Sequence, residues 1–190
     1  MADVTDTTQR PKGYFDKICV LDTETSGINF DSIDPSKNYK MLSCGLIAAD
    51  NNYNIIDELY VEFKWGDSDK HSKWSLSAQD IHGFTKEYLD KNGDTDVDGA
   101  EKIGGFLYDH WGADTPITLL GTQVATFDQF FLRNFLNNMG IPFRFSHRHL
   151  DTFGLGYGTV KAYTSDELFE LCGHPRAKHN ALEEDRKSVV

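Results

Sequence analysis

The sequence predicts an α/β domain, a mixed sheet covered by helices on both faces. Three observations carry this. The first part of the chain holds three strand-like apolar segments, and the rest alternates helical with strand-like ones. A length of 190 residues suffices for one core and is short for two. Residues 1–13 read as a flexible polar tail with no secretory apolar stretch, and residues 14–190 as the single domain.

The first strand is expected at Ile18–Leu21 of FDKICVLDTET, a continuous apolar run suited to a central position. MLSCGLIAAD (41–50) is the second. In IIDELYVEFKW (55–65), Leu59, Val61, Phe63 and Trp65 alternate, the period of a half-buried strand. A polar loop, INFDSIDPSKNYK, lies between the first two strands, and another, GDSDKHSKWSLSAQD, follows the third and contains no strong pattern.

Thr95 then offers an N-cap, and Val97, Ala100, Ile103, Phe106 and Leu107 recur at helical spacing up to Trp111. ITLLGT (117–122) is a short strand. FDQFFLRNFLNNMG (127–140) is a helix stopped by Gly140, with Pro142 just beyond. FRFSHRHLDT holds a fifth strand, SDELFELCG a helix capped by Ser165, and the closing segment a last helix.

Charge restricts the function. A net −11 argues against coating duplex DNA by bulk electrostatics. Its distribution is uneven: residues 1–132 sum to −12 and residues 133–190 to +1. Nucleic acid could therefore approach the C-terminal third, or a metal-filled pocket, without meeting the full negative field. Cys19, Cys44 and Cys172, an odd number among apolar neighbours, suggest buried thiols in a reducing, cytoplasmic setting.

Acids fall where apolar segments end. Asp22 and Glu24 lie two apart, so in an extended chain they leave one face. They are either a strand end entering a solvated turn or a pair held by a cation, for which oxygen ligands suit Mg²⁺ or Mn²⁺. Asp128, at a helix start, is either a first-turn acid favoured by the helix dipole or a third ligand. His179 precedes Glu183, Glu184 and Asp185, which form either a Glu-rich helical turn or a fourth corner. In combination they match a two-metal phosphodiesterase. Four acids would hold two cations about 3.5–4 Å apart, and the histidine would take a proton from the attacking water.

In that order and spacing the chain resembles the DEDDh 3′–5′ exonucleases, the DnaQ-like branch of the ribonuclease H-like superfamily. VLDTETSG is similar to the first exonuclease motif, FDQFFL to the second and KHNALEEDR to the third. IHGFT (81–85) resembles the substrate-side loop, and HLDT (149–152) the strand after the second-motif helix. The resemblance runs from about Phe15 to the C-terminus. It implies a five-stranded ribonuclease H-like sheet with two Mg²⁺ or Mn²⁺ ions held by Asp22, Glu24, Asp128 and Glu184. It also implies His179 as base and substrate contacts from Thr23, Thr25 and His82.

Three features depart from the family. Gln123 and Val124 replace its usual His-Asn, which changes the surroundings of the second motif rather than a ligand. The helix that usually continues past the third motif reaches only Val190. The family places Asp five residues after the histidine, where Glu184 stands here. Asp185 is the alternative, but neighbouring helix residues point about 100° apart, so the two cannot serve equally. Glu184 keeps the family spacing and is the expected ligand.

The implied activity is release of nucleoside monophosphates from single-stranded 3′ ends, with DNA preferred. The alternatives are a short-oligoribonucleotide exonuclease and a catalytically weakened nucleic-acid-binding module. A polymerase or a second copy of the chain would be the protein partner, although no apolar stripe demands one.

Overall fold

The first strand lies at the centre of the sheet, as its uninterrupted apolar run requires. The computed structural model describes residues 16–28, 38–66 and 72–173. Strand β1 (Lys17–Thr25) pairs antiparallel with β2 (Met41–Asp50), which pairs antiparallel with β3 (Ile55–Glu62). On its other side β1 runs parallel to β4 (Leu119–Gly121), and β4 parallel to β5 (Leu150–Asp151). The five-stranded order is β3-β2-β1-β4-β5, a mixed sheet as the sequence predicts. The tail and the closing segment, where a last helix is expected, lie outside the described residues.

Helices enter between strands. Four are α1 (Leu76–His82), α2 (Lys86–Asn92), α3 (Asp96–Trp111) and α4 (Asp128–Asn138). After β5 come α5 (Thr152–Val160) and α6 (Ser165–Leu171). Among the described residues, none is long and apolar enough to cross a membrane. Ile103, Phe106, Leu107 and Trp111 of α3, with Phe131, Leu132 and Leu136 of α4, pack on Cys19, Leu21, Cys44, Leu46 and Val61. Ile18, Val20, Ile47 and Leu120 form a smaller cluster on the other face, with Leu150 beside it.

Several expectations change in detail. The pattern-free segment 66–80 runs into α1, and α2 follows in a stretch where the sequence predicts no element. Each is seven residues long, too short to display a period, and each is started by a local cap. Ser75 Oγ accepts from Ala78 N–H, and Thr85 Oγ1 from Tyr88 N–H. Helix α5 was hidden by its three glycines and is capped by Asp151, whose Oδ1 accepts from Phe153 and Gly154 N–H. The cap of α6 is Thr164, one residue before Ser165. Strand β3 ends at Glu62, although its alternation continues through buried Phe63.

Val97, expected in the core, is exposed, whereas Gly99 faces inward. A Cβ at Gly99 would meet the Phe63 ring within 2.4 Å. The helix approaches β3 through a residue that apolar periodicity does not count. Cys19 and Cys44 are buried as expected, but Cys172 is exposed just after α6.

A bulge shapes the site end of β1. Glu24 faces Ser43 but Thr25 faces Met41, so Leu42 is the extra residue. Leu42 joins Trp65 and Leu89 in a separate cluster that Trp74 and Phe84 cover. Ser26 ties the chain there: its Oγ donates to Lys73 O at 2.7 Å and accepts Lys40 N–H at 2.8 Å. Its carbonyl accepts Ser75 N–H at 2.7 Å, which seats the start of α1 beside the end of β1.

Candidate active site

Asp22 and Glu24 extend the smaller-cluster face of β1, beyond Ile18 and Val20. Both are half-buried. Register places Asp22 opposite Gly45, which faces Tyr60, and Glu24 opposite Ser43, which faces Glu62. Gly45 itself adds no side chain opposite Asp22. In the next row Ser43 is buried, and its hydroxyl acts on Tyr60.

Tyr60 donates its hydroxyl to Glu62 Oε1 at 3.0 Å. Burial holds this phenol above its ordinary pKa against the lowering effect of Ser43, and the negative charges of Glu62 and Glu24 push upward with it. A hydrogen bond to Glu62 likewise raises the Tyr88 phenol, so two tyrosines converge on this carboxylate. Sequence reading missed Tyr60 and Glu62. Their signal was the β3 alternation, which sets 58, 60 and 62 on one face once the partner strand is known.

Asp128 approaches from the other side. It is 3% exposed, and its Oδ1 accepts Thr23 N–H at 2.9 Å and Thr23 Oγ–H at 2.7 Å. The middle residue of Asp22-Thr23-Glu24 therefore anchors the third acid. The loop before α4 permits this approach. Gln123 is in the left-handed region, φ 55°, and its carbonyl accepts Thr126 and Phe127 N–H. Val124 is fully buried in the main core, where a polar Asn would lack its packing. Gly121 lets β4 come close to β1, since a Cβ there would lie 2.7 Å from Leu21 O.

The three expected substrate contacts occupy other surroundings. Thr23 and Thr25 are buried; the Thr23 hydroxyl goes to Asp128 and the Thr25 hydroxyl to Gly27 O at 2.8 Å. His82 is buried at the end of α1, between Trp74 at 5.8 Å and Phe84 at 5.4 Å. Its Nδ1 accepts Phe84 N–H at 3.0 Å, which assigns the proton to Nε2, a buried atom with no partner among the described residues. Burial lowers its pKa to about 4. Lys86 Nζ lies 4.7 Å from the Trp65 ring and 5.3 Å from Trp74, closing this aromatic cluster.

The described acids supply oxygen donors alone, the set that a hard divalent cation takes. Among the described residues, no group of three or more His, Cys, Asp or Glu stands ready to hold a metal. His179, Glu184 and Asp185 lie outside them.

No protein-family model matches the sequence, and no curated protein does. Solved structures share its fold. E. coli exonuclease I in complex with a dT13 oligonucleotide matches with a TM-score of 0.73 at 15% identity, over 91% of this chain and 39% of that one. The zinc-bound E. coli exonuclease I–ssDNA complex matches with 0.72 at 16% identity, over 91% and 39%. Product-bound exonuclease I gives 0.69 at 15% identity, over 91% and 41%. The chain spans about two fifths of the length of these neighbours. By fold, then, this chain, a mixed five-stranded sheet with helices, is similar to E. coli exonuclease I.

Proposed function

We propose that the chain is a metal-dependent 3′–5′ exonuclease acting on single-stranded ends. One observation carries this reading: Asp22 and Glu24 share a face at the end of β1, and Asp128 is fastened to the residue between them. Asp22, Glu24, Asp128 and Glu184 would hold two Mg²⁺ or Mn²⁺ ions. Such a pair, when bound, supplies an activated water and stabilises the leaving oxygen. Thr23 positions Asp128 through two hydrogen bonds to its Oδ1. His179 takes the proton of the attacking water. Single-stranded DNA is the favoured substrate, because exonuclease I structures of this fold hold dT13 and dA16 oligonucleotides.

The test is digestion of 5′-labelled single- and double-stranded DNA and RNA with Mg²⁺, Mn²⁺ or EDTA. A 3′-shortening ladder on single-stranded DNA, lost in EDTA and in Asp22→Ala, is the expected result. A ladder on short RNA alone would move the substrate to oligoribonucleotides. Absence of cleavage with both metals would overturn catalysis and leave a binding module, the reading that Glu184 in a place usually held by Asp favours.

A further inference from the structure

Between Asp128 and Asp151 the chain carries three arginines, two histidines and no acid, although the whole sequence has 30 Asp and Glu. The fold gathers these cations along one margin. The segment 144–148 runs beside the start of β4: Ile117 N–H donates to Arg144 O at 2.9 Å, and Ser146 N–H to Ile117 O at 2.7 Å. Arg148 N–H donates to Ser146 Oγ, which holds the next turn of the segment. This margin continues into β5, the outer strand of the sheet.

Arg133 joins it from α4, with its guanidinium 5.8 Å from the Phe145 ring. Arg133 and His147 both place positive charge near His149, whose pKa is lowered first by burial and then by these two neighbours. Asp151 acts on His149 in the opposite direction. Arg133, Arg144, His147 and Arg148 are exposed. No ion pair among the described residues uses Arg133 or Arg144.

Charged residues on an edge strand also guard against strand-to-strand aggregation. Acids would serve that purpose equally well and dominate the rest of this chain, yet they are excluded here. The position matters too. Arg133 follows Asp128 by five helical residues, about 7.5 Å along α4. Five residues also turn Arg133 about 140° around the helix from Asp128. Segment 144–148 lies beside Ile117, at the far end of β4 from Asp22 and Glu24, so the cations meet an upstream strand rather than its terminal nucleotides.

We propose that Arg133, Arg144 and Arg148, with His147, form a phosphate-binding ridge that holds the upstream part of a single-stranded nucleic acid whose 3′ end lies at Asp22, Glu24 and Asp128. The proposal rests on the exonuclease reading for the position of that end, but binding at the ridge needs neither metal nor cleavage. Guanidinium groups suit phosphodiester oxygens by their forked donors, and each phosphate contact adds about 0.7 to the salt dependence of single-strand binding.

The test uses the full chain in EDTA, with fluorescein-labelled oligothymidylates of about 20 and about 4 nucleotides, titrated across a NaCl series. Arg133→Gln and Arg144→Gln should each weaken binding of the longer strand by about fivefold at 0.1 M salt, and hardly at all near 1 M. The slope of log affinity against log salt should fall by about 0.7 for each. The short strand should bind all variants alike, Arg144→Lys should retain most of the slope, and Lys91→Gln on α2 should match wild type. Unchanged slopes in variants with wild-type melting temperatures would overturn the ridge, as would a wild-type chain that binds no oligothymidylate. Cleavage by a wild-type chain whose slope ignores both arginines would sink the ridge and spare the exonuclease. Arginine-dependent binding without cleavage in Mg²⁺ or Mn²⁺ would do the reverse.

Discussion

Thr23 shows how one residue can set the geometry of two others. Its neighbours Asp22 and Glu24 point to one face, while its own amide and hydroxyl hold Asp128 on the other. Thr23→Val keeps the shape and the backbone bond but removes the buried hydroxyl. We expect a loss of about 1 kcal/mol in stability and at least a tenfold drop in kcat, with Thr23→Ser restoring most of both. Urea unfolding beside steady-state cleavage separates the effects, and an unaltered kcat would show that Asp128 needs no such anchor. The fourth corner is decided by ranking: Glu184→Gln should damage cleavage far more than Asp185→Asn. The reverse order would shift the ligand by one residue, and His179→Ala should cost on the order of 10²–10⁴ in rate.

At the level of elements, the site depends on how closely β4 meets β1. Gly121 has no side chain, and a methyl there would sit 2.7 Å from Leu21 O and 3.1 Å from Val124 Cβ. Backbone cannot give way as a flexible side chain does. Gly121→Ala should cost about 1–3 kcal/mol, read as a lower urea midpoint at constant m-value. Val124 explains one departure from the family motif: this position fills the main core, so an apolar residue is supported by packing. Ser26 plays the equivalent part at the other end of β1, where it attaches residues 40 and 73–75 and so seats α1.

Over the whole molecule, pH acts on stability through His82. Its folded pKa, about 4, lies below the ordinary 6.5, so the unfolded chain binds more protons between these values. Stability from keeping this imidazole neutral is fully present above pH 6.5 and is lost as pH falls towards 4, by up to about 3 kcal/mol. His82→Leu should flatten that part of the urea-midpoint profile, and an unchanged slope would place the titration elsewhere. Charge is also unevenly spread at this scale, with acids concentrated before residue 133 and the 129–150 segment free of them. Ionic strength should therefore tune strand binding at one margin rather than across the surface.

The sequence by itself determined the strand core, the long helices and the same-face pairing of Asp22 with Glu24, because these follow from periods of two and 3.6 within one segment. It could not reveal α1, α2 and α5, whose short spans and glycines erase periodicity and whose existence rests on caps and distant apolar partners. Only the tertiary structure decided that Asp128 hangs from Thr23, 105 residues away, that Tyr60 and Glu62 stand in the rows of Asp22 and Glu24, and that Arg133 meets the segment beside β4. Those placements depend on register and on the β1–β4 crossover, and neither is encoded by any local pattern of residues.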